Sequence, residues 1–344
     1  IRVVPTEPFD GIAGYLRRAP AMVAGNAPRL RRAFRDCDVV LLRLPASNGL
    51  LGAVLAATLG RPRIAFVVGS VRDVVAGQGR NGLPGVAARL VGAGYDAMTR
   101  LAATGGETIV VGAEPAGDGI LSSLVLPAEL RDRRGAPWPH RAPSLRLVYA
   151  GRLAEGKGLD DLLAAVEMLA VSEAPGASAG VTLDLVGDGP ARATLESRAA
   201  ALGIADRVRF AGYLAEREPY LRAIAAADAF VSPSPAEGFP KAVLDAMAVG
   251  VPVVAVPAGR LADIAAARAT PDGAAILPVR ASDPAAIAAA IRSLAGDPPE
   301  ARRLRAAGAA FAAAHTMPAE AARLADVLRR RASRGVGEGR VRRR

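Results

Sequence analysis

The sequence is poor in the residue types on which several common kinds of protein depend. Aromatic residues make up 4% of its 344 residues, although hydrophobic residues make up 51%, so its cores are built from Ala, Val, Leu and Ile. This composition excludes an aromatic-rich β-sandwich and favours helices packed on buried parallel strands. Cys37 is the only cysteine, which excludes a disulfide framework and predicts a reducing compartment, the cytoplasm.

Long apolar runs are also missing. The longest uncharged stretch of interest, residues 44–60, is interrupted by Pro45, Ser47 and Asn48. It falls short of the roughly 20 apolar residues that a membrane-spanning helix needs. The sequence therefore predicts neither a transmembrane helix nor a signal peptide.

The positive charge is concentrated near the C-terminus. The formal net charge is +11, and residues 329–344 contribute +7 of it through eight arginines and one glutamate. The rest of the chain carries the remaining +4, an ordinary value, and shows no RNA-binding aromatic motif and no zinc spacing. We therefore expect no nucleic-acid partner. The segment from Arg329 is predicted to be a disordered basic tail, either solvated or in peripheral contact with an anionic membrane surface.

Short apolar runs alternate with longer helical stretches, which is typical of βαβ units. The predicted strands are residues 39–42, 64–68, 108–111, 145–150, 182–186, 208–210, 229–231, 253–256 and 275–278, and the predicted helices include 27–35, 159–169, 239–249 and 319–331. A Pro-rich segment, 131–143, interrupts the pattern and is predicted to be an interdomain linker. We therefore predict an α/β protein with an N-terminal domain and linker (1–143), a C-terminal domain (144–317), and a crossover helix with the basic tail (318–344).

Three predicted strands of the second domain are followed by glycine-rich loops, with the sequences GRLAEGKG (151–158), GDGP (187–190) and SPSPAEGFP (232–240). Ligands of open α/β sheets bind beyond the carboxyl ends of the strands. Lys157 and Lys241 are the only lysines, and a lysine in a glycine-rich loop of an Arg-biased chain indicates that a compact ammonium is needed there. Arg152 and Lys157 together predict a diphosphate site; a solvated pair is the alternative.

The segment 237–250 has the features of a helix whose N-terminus meets a ligand. Pro240 suits the first turn and Gly250 the C-terminal cap, so the backbone amides after Glu237 point toward an anion or sugar hydroxyls. Glu237 and Asp245 are separated by roughly 12 Å of helical rise on similar faces. Two carboxylates so placed bracket a nucleotide-sugar, one at the hexose and one at the ribose. A capping Glu237 and a solvated Asp245 are the alternative.

Four motifs resemble the C-terminal domain of glycosyltransferase family 4, the retaining enzymes of GT-B fold. They are GRLAEGKG (151–158), LVGDGP (185–190), VRFAGYL (208–214) and SPAEGFPKAVLDAMAVGVPVVA (234–255), in the family's order and spacing. Together with the end of the fold they cover about half of the chain. The resemblance implies two facing Rossmann-like doubly wound domains, the second of which binds a nucleotide-activated sugar.

The resemblance also implies residue roles. Arg152, Lys157 and Glu237 are the implied catalytic residues, the two cations holding the donor diphosphate and Glu237 the donor sugar. The other implied donor-binding residues are Gly151, Gly187, Asp188, Gly189, the loop under the base (Gly212 and Tyr213), Gly238, Phe239, Pro240 and Asp245. Asp245 stands where the family has a glutamate that grips the ribose; it is one methylene shorter, which predicts a longer or water-bridged contact.

The first half resembles the family's N-terminal domain only over residues 39–75, through LLRLP and VVGSVRDV. The family's first strand and its glycine-rich loop are not found, and the sequence starts at Ile1 without a methionine. We therefore expect a fragment whose N-terminal domain lacks its first strand. His140 in the linker and His315 near the last helices are interpreted as structural or solvated residues.

The implied function is retaining transfer of a hexose from a nucleoside-diphosphate sugar to a glycan or lipid-linked acceptor, in bacterial polysaccharide or glycolipid assembly at the inner face of the membrane. The leaving phosphate takes the acceptor's proton, so no histidine base, cofactor or metal is expected. Two alternatives stay open: a nucleotide-sugar epimerase of the same fold, and a non-catalytic nucleotide-sugar-binding protein, which Asp245 and the missing loop favour. A Rossmann dehydrogenase is not favoured, because no G-x-G-x-x-G opens a helix after the first strand.

Overall fold

The computed structural model describes residues 11–44, 46, 48–67, 83–104, 106–110, 123–130, 145–171, 180–235, 240–259, 261–265, 270, 273–296 and 298–341. The chain divides into two compact units, residues 1–120 with 321–344, and residues 121–320. The structural division therefore falls at residue 120, whereas the sequence placed the boundary at 143. The predicted linker 131–143 lies outside the described residues.

The first unit contains a parallel sheet. In the described residues its strands are β1 (Val40–Leu44), β2 (Arg63–Val67) and β3 (Glu107–Val110), side by side in chain order. The helices of this part are α1 (Gly11–Arg35), α2 (Gly49–Thr58) and α3 (Leu83–Ala103). All three strands were predicted to within two residues. Their simple order does not show the double winding predicted for this domain.

Helix α1 is much longer than the predicted helix 27–35, since it begins at Gly11. Pro20 and Pro28 lie inside it, and a proline in a helix interior removes a backbone hydrogen bond and argues against a helix there. Packing overrides this local preference, because Met22 and Asn26 are buried on α1 and tertiary contacts routinely outweigh propensity.

The second unit is a six-stranded parallel sheet with the order β6-β5-β4-β7-β8-β9. Its strands are β4 (Leu145–Ala150), β5 (Val181–Val186), β6 (Val208–Gly212), β7 (Ala229–Ser232), β8 (Val253–Ala255) and β9 (Leu277–Pro278). From β4 the chain winds to one edge and then returns to wind from β7 to the other edge. The doubly wound sheet predicted for this domain is confirmed, and its topological switch point lies between β4 and β7.

Helices cover both faces of this sheet. The core on one face includes α4 (Leu159–Val171), α5 (Arg192–Ala201) and α9 (Pro284–Gly296), and the core on the other includes α6 (Arg217–Ala225), α7 (Lys241–Ala248), α8 (Leu261–Ala265) and part of α10 (Pro298–Ala314). Neighbouring residues of β4 point to opposite faces: Leu147 enters the first core and Val148 the second. Both faces are buried, which is why these strands are continuous apolar runs in the sequence.

The last helix, α11 (Met317–Val341), belongs to both units of the chain, since its residues from Ala321 group with the first. Val327 of this helix packs with Ile64 of β2. The helix continues to Val341, so the prediction of a disordered tail from Arg329 is wrong as far as the structure describes it. The tail is arginine-rich, and arginine is a good helix former; a run of like charges does not by itself prevent a helix.

A buried carboxylate joins three adjacent strands of the second unit. The Asp184 side chain on β5 is 7% exposed and accepts hydrogen bonds from Arg209 on β6 at 2.7 Å and from Arg146 on β4 at 3.0 Å. Burial alone raises the pKa of Asp184, but the hydrogen bonds and charges of Arg209 and Arg146 outweigh it and hold the pKa below its ordinary value. The cluster therefore stabilises the sheet when Asp184 is ionised.

We predict that Asp184→Asn lowers the free energy of unfolding by about 1–3 kcal/mol, because two guanidinium groups lose their charged partner. The matched control is Glu218→Gln, which removes an exposed ion pair to Arg222 and changes stability by less than about 0.5 kcal/mol. Urea denaturation at neutral pH measures both values.

The pH dependence of this difference is a second check. A carboxylate with a lowered pKa contributes its stabilisation above its ordinary pKa of 3.8 and loses it as the pH falls further. The destabilisation by Asp184→Asn should therefore shrink below that pH. Equal losses from Asp184→Asn and Glu218→Gln at neutral pH would contradict a stabilising cluster.

Candidate functional site

The loops after β4, β5 and β6 are joined by backbone hydrogen bonds at the carboxyl edge of the second sheet. The amide of Gly151 donates to the carbonyl of Val186 at 2.9 Å, and the amide of Gly187 donates to the carbonyl of Gly212 at 2.8 Å. Three glycines predicted at the site from three different motifs are thus brought to one edge. The structure places the glycine-rich loops together, as an edge of parallel strands requires.

Glycine is needed at positions 187 and 158 because backbone segments approach each other closely there. A Cβ atom on Gly187 would lie 1.9 Å from the carbonyl oxygen of Gly151. Gly158 has a φ of +69°, and a Cβ atom on it would lie 2.4 Å from the carbonyl oxygen of Pro233. Gly158 therefore allows the loop after β4, which carries Lys157, to pack against the loop after β7 across the switch point.

A cavity of about 700 Å³ opens at this edge of the sheet, within the size range of small-molecule sites. It is lined by seven of the predicted site residues, Gly151, Arg152, Lys157, Gly187, Asp188, Tyr213 and Pro240. Tyr213 is 76% exposed, so it offers an aromatic face for stacking. The cavity thus combines glycine-rich backbone, cations and an aromatic ring.

Several lining residues were not predicted, among them Tyr149, Tyr220, Ser232 and Lys241. Lys241 had a signal in the sequence, because both lysines of the chain line this one cavity. The charged lining side chains in the described residues are Arg152, Lys157 and Lys241 against Asp188. Their net charge of +2 suits an anionic ligand such as a diphosphate.

Other predicted residues lie elsewhere or outside the described residues. Glu237, Gly238 and Phe239 fall outside them, so their roles stay predictions. Gly189 packs beneath the loop after β4, where a Cβ atom would lie 2.2 Å from the carbonyl oxygen of Leu153. This close backbone contact explains why position 189 is a glycine.

Asp245 is not solvated and does not stand at the cavity wall among the described lining residues. It is 3% exposed and accepts hydrogen bonds from Arg217 at 2.7 Å and from the Tyr220 hydroxyl at 3.1 Å. Arg217 also donates twice to Glu129, at 2.9 Å each. The predicted acidic residue is therefore held in a buried cluster with two partners that the sequence did not indicate.

The cluster fixes the protonation of Glu129 and Tyr220. The hydrogen bond from Arg217 is the main cause that lowers the pKa of Glu129, against the opposing effect of burial. Burial first, and then the negative charge of Asp245, raise the pKa of Tyr220. Tyr220 therefore stays a neutral hydrogen-bond donor and Glu129 a carboxylate at neutral pH.

The strand order sets the spacing of the loops. The loop after β6 and the loop after β4 are separated by one strand, which is roughly 10 Å at the usual spacing between strands. The loop after β7 lies next to that of β4 on the other side. A ligand that contacts all three is therefore extended along the edge, with its most anionic part near Arg152 and Lys157.

Two other features are absent from the described ranges. These residues contain no group of three or more His, Cys, Asp and Glu side chains that could hold a metal ion. None of their helices is both long enough and apolar enough to cross a membrane.

Residues 144–297 match the family model described as glycosyl transferases group 1. The second unit carries a glycosyl transferases group 1 domain. The matched residues include all the strands of the second unit and every loop that lines the cavity.

Curated relatives of this glycosyltransferase domain are bacterial. The lipopolysaccharide core biosynthesis glycosyltransferase LpsE of Rhizobium meliloti (strain 1021) is 37% identical over 123 residues, which are 36% of this chain and 32% of the relative. The D-inositol 3-phosphate glycosyltransferase of Streptomyces avermitilis is 34% identical over 206 residues, 58% of this chain and 42% of the relative. The chain thus spans less than half the length of these relatives.

Solved structures extend the likeness to both units of the chain. The structure of Anabaena Alr3699/HepE in complex with UDP has a TM-score of 0.61 at 17% identity and covers 90% of this chain and 83% of that one. Sucrose-phosphate synthase from Thermosynechococcus elongatus has a TM-score of 0.59 at 20% identity, over 88% and 77% of the two chains. The predicted fold class, α/β of the GT-B glycosyltransferase type, is confirmed.

We predict that Gly158→Ala lowers the free energy of unfolding by about 2–4 kcal/mol, since it adds a clash to the strain of a positive φ. Gly203→Ala is the matched control, because Gly203 has nearly the same φ, +68°, with nothing near the new Cβ atom. It should cost only about 1 kcal/mol. Urea denaturation followed by circular dichroism measures both; equal losses would contradict the packing of the β4 loop on the β7 loop.

Proposed function

We propose that the chain is a glycosyltransferase whose second unit binds a nucleoside-diphosphate sugar and transfers its hexose, with retention, to a glycan or lipid-linked acceptor. The observation that carries this proposal is the cavity at the carboxyl edge of a glycosyl transferases group 1 domain, lined by both lysines of the chain and by Arg152. The likeness to a structure with UDP bound supports it.

The strand order supports one orientation of the nucleotide-sugar along the edge of the sheet. We place the diphosphate at Arg152 and Lys157 after β4, and the base against Tyr213 after β6, roughly 10 Å away. The donor sugar then lies on the other side, near the loop after β7 and the start of α7, where Pro240 and Lys241 line the cavity. The sequence resemblance adds Glu237 at the sugar.

In the proposed reaction the bond between the sugar C1 and the phosphate oxygen breaks while the acceptor oxygen bonds to C1 on the same face. The acceptor's proton passes to the leaving phosphate oxygen, so the step balances without a separate base. Arg152 and Lys157 stabilise the negative charge that grows on the diphosphate. One such donor typically contributes about 2.7–4 kcal/mol of transition-state stabilisation. Neither a cofactor nor a metal ion has a role in this step.

One observation supports the proposed acceptor, and another supports the proposed contact with a membrane. LpsE is named as an enzyme of lipopolysaccharide core biosynthesis, which supports a glycan or lipid-linked acceptor here. The +7 charge of residues 329–344 supports peripheral contact with the anionic inner face of a membrane. Both would place the reaction in the cytoplasm.

A non-catalytic nucleotide-sugar-binding protein is the second candidate, and one observation favours it. Asp245 is bound by Arg217 and Tyr220, so it is not poised to hold the ribose as the family's glutamate does. Slow hydrolysis of the donor sugar, which needs no acceptor, separates the two candidates. Release of nucleoside diphosphate by the chain supports the enzyme, and binding without release supports the second candidate.

We predict micromolar binding of one of UDP, GDP and ADP in metal-free calorimetric titration of the full chain. Lys157→Ala should raise the Kd about 10- to 100-fold, because a hydrogen bond from a charged group contributes about 1.5–3 kcal/mol. The control is Arg222→Ala, which removes the same charge from an exposed residue of the same unit that is not among the described cavity-lining residues.

The Kd values of wild type, Lys157→Ala and Arg222→Ala together test the donor site. An unchanged Kd for Arg222→Ala beside a weakened Lys157→Ala supports the donor site. Equal weakening of both variants would mean that net charge, not a contact, is responsible. If none of the three nucleotides binds the wild-type chain, the proposed donor site is wrong.

A further inference from the structure

Tyr220 and Asp245 occupy matching positions on two helices that begin at the carboxyl edge of the sheet. Tyr220 is three residues into α6, which starts at Arg217, and Asp245 is four residues into α7, which starts at Lys241. At the rise of an α-helix they stand roughly 4.5 and 6 Å below the starts of their helices. Of the two, Tyr220 lines the cavity.

Both oxygens of the Asp245 carboxylate already have partners. Oδ1 accepts from the Arg217 guanidinium at 2.7 Å, and Oδ2 accepts from the Tyr220 hydroxyl at 3.1 Å. The Asp245 side chain is 4% exposed. Asp245 itself is not among the described cavity-lining residues, whereas its partner Tyr220 is.

Tyr220 is held from two sides. Its hydroxyl proton is committed to Asp245, and the Arg217 guanidinium lies over its ring, 5.7 Å from the centroid. Arg217 is itself fixed by two hydrogen bonds to Glu129. A phenol whose proton is so committed has only acceptor lone pairs left to offer to the cavity.

We propose that Tyr220 is the residue that meets the ribose of the bound nucleotide, its hydroxyl oxygen accepting a hydrogen bond from a ribose hydroxyl, and that Asp245 and Arg217 act as positioning residues behind it. This inference rests on the proposed function, since it assigns a contact in the same donor site. The hydrogen bonds form a relay, from ribose hydroxyl to phenol to carboxylate.

The order of the donor's parts supports the ribose as the group at Tyr220. The ribose joins the base to the diphosphate, so in the proposed pose it lies between the loop after β6 and the loop after β4. Tyr220 follows the first of these loops on α6 and lines the same cavity as Tyr213 and Lys157. The phenol oxygen at this point is a hydrogen-bond acceptor, and the ribose hydroxyls are the donors that it would meet.

The relay also accounts for an aspartate at this position. The Tyr220 hydroxyl lies 3.1 Å from the Asp245 carboxylate, and Arg217 balances the buried charge of that carboxylate. A lone buried carboxylate would be costly without such a partner. The chain thus replaces a direct carboxylate contact by one made through Tyr220.

The test is calorimetric titration of the full chain with the nucleoside diphosphate that binds and with its 2′-deoxy and 3′-deoxy forms. We expect wild type to bind the ribonucleotide about 3- to 10-fold more tightly than one of the deoxy forms, as a net hydrogen bond provides. Tyr220→Phe should lose this preference, and Asp245→Asn should reduce it. Arg222→Ala, a change at an exposed residue of the same helix that is not among the described cavity-lining residues, should keep it.

The outcomes separate this inference from the proposed function. If Tyr220→Phe keeps the full preference and Asp245→Asn loses it, Asp245 contacts the ribose directly and the inference is wrong. A wild type that binds all three forms equally also overturns it, while the donor site stands. Absence of nucleotide binding by wild type overturns the proposed function itself. Should Asp245→Asn fail to fold, Tyr220→Phe and Arg222→Ala alone decide the question.

Discussion

The backbone contact between the loops after β4, β5 and β6 is the constraint on which the candidate site depends. Gly151, Gly187 and Gly212 come within hydrogen-bonding distance of one another or of the neighbouring strand end, and no side chain fits between Gly187 and Gly151. The site's shape is therefore set by main chain, which is stiffer than side chains. The loops of this framework carry the charged residues Arg152, Lys157 and Asp188, which line the cavity.

Two clusters of charged side chains join separate segments of the second unit. Arg217 joins Glu129 of the segment 123–130 to Asp245 of α7, so one guanidinium ties a segment distant in sequence to the helix that starts at the cavity. Arg146 and Arg209 hold Asp184 across three strands in the same unit. In both clusters a buried carboxylate is matched by arginine, which suits a chain with almost no lysine.

Much of the second unit could be predicted from the sequence because local signals and fold agree there. Continuous apolar runs mark buried parallel strands, and the glycines after them mark close backbone approach, as Gly187 and Gly158 show. The partners of Asp245 could not be predicted, since Arg217 and Tyr220 are 28 and 25 residues away in the sequence and carry no motif. The length of α1 could not be predicted either, because Pro20 and Pro28 lie inside it and proline argues against a helix interior. Glu237 lies outside the described residues, and its role rests on the resemblance alone.

The central claim is that a nucleoside diphosphate binds along the carboxyl edge of the second sheet, from the loop after β6 to the loop after β4. Hydrogen–deuterium exchange of the full chain, with and without a saturating nucleotide, tests it most directly. The account predicts slower exchange in residues 151–158, 187–190 and 212–214 together. Protection confined to residues 1–120, or no protection of these loops at saturation, would contradict it.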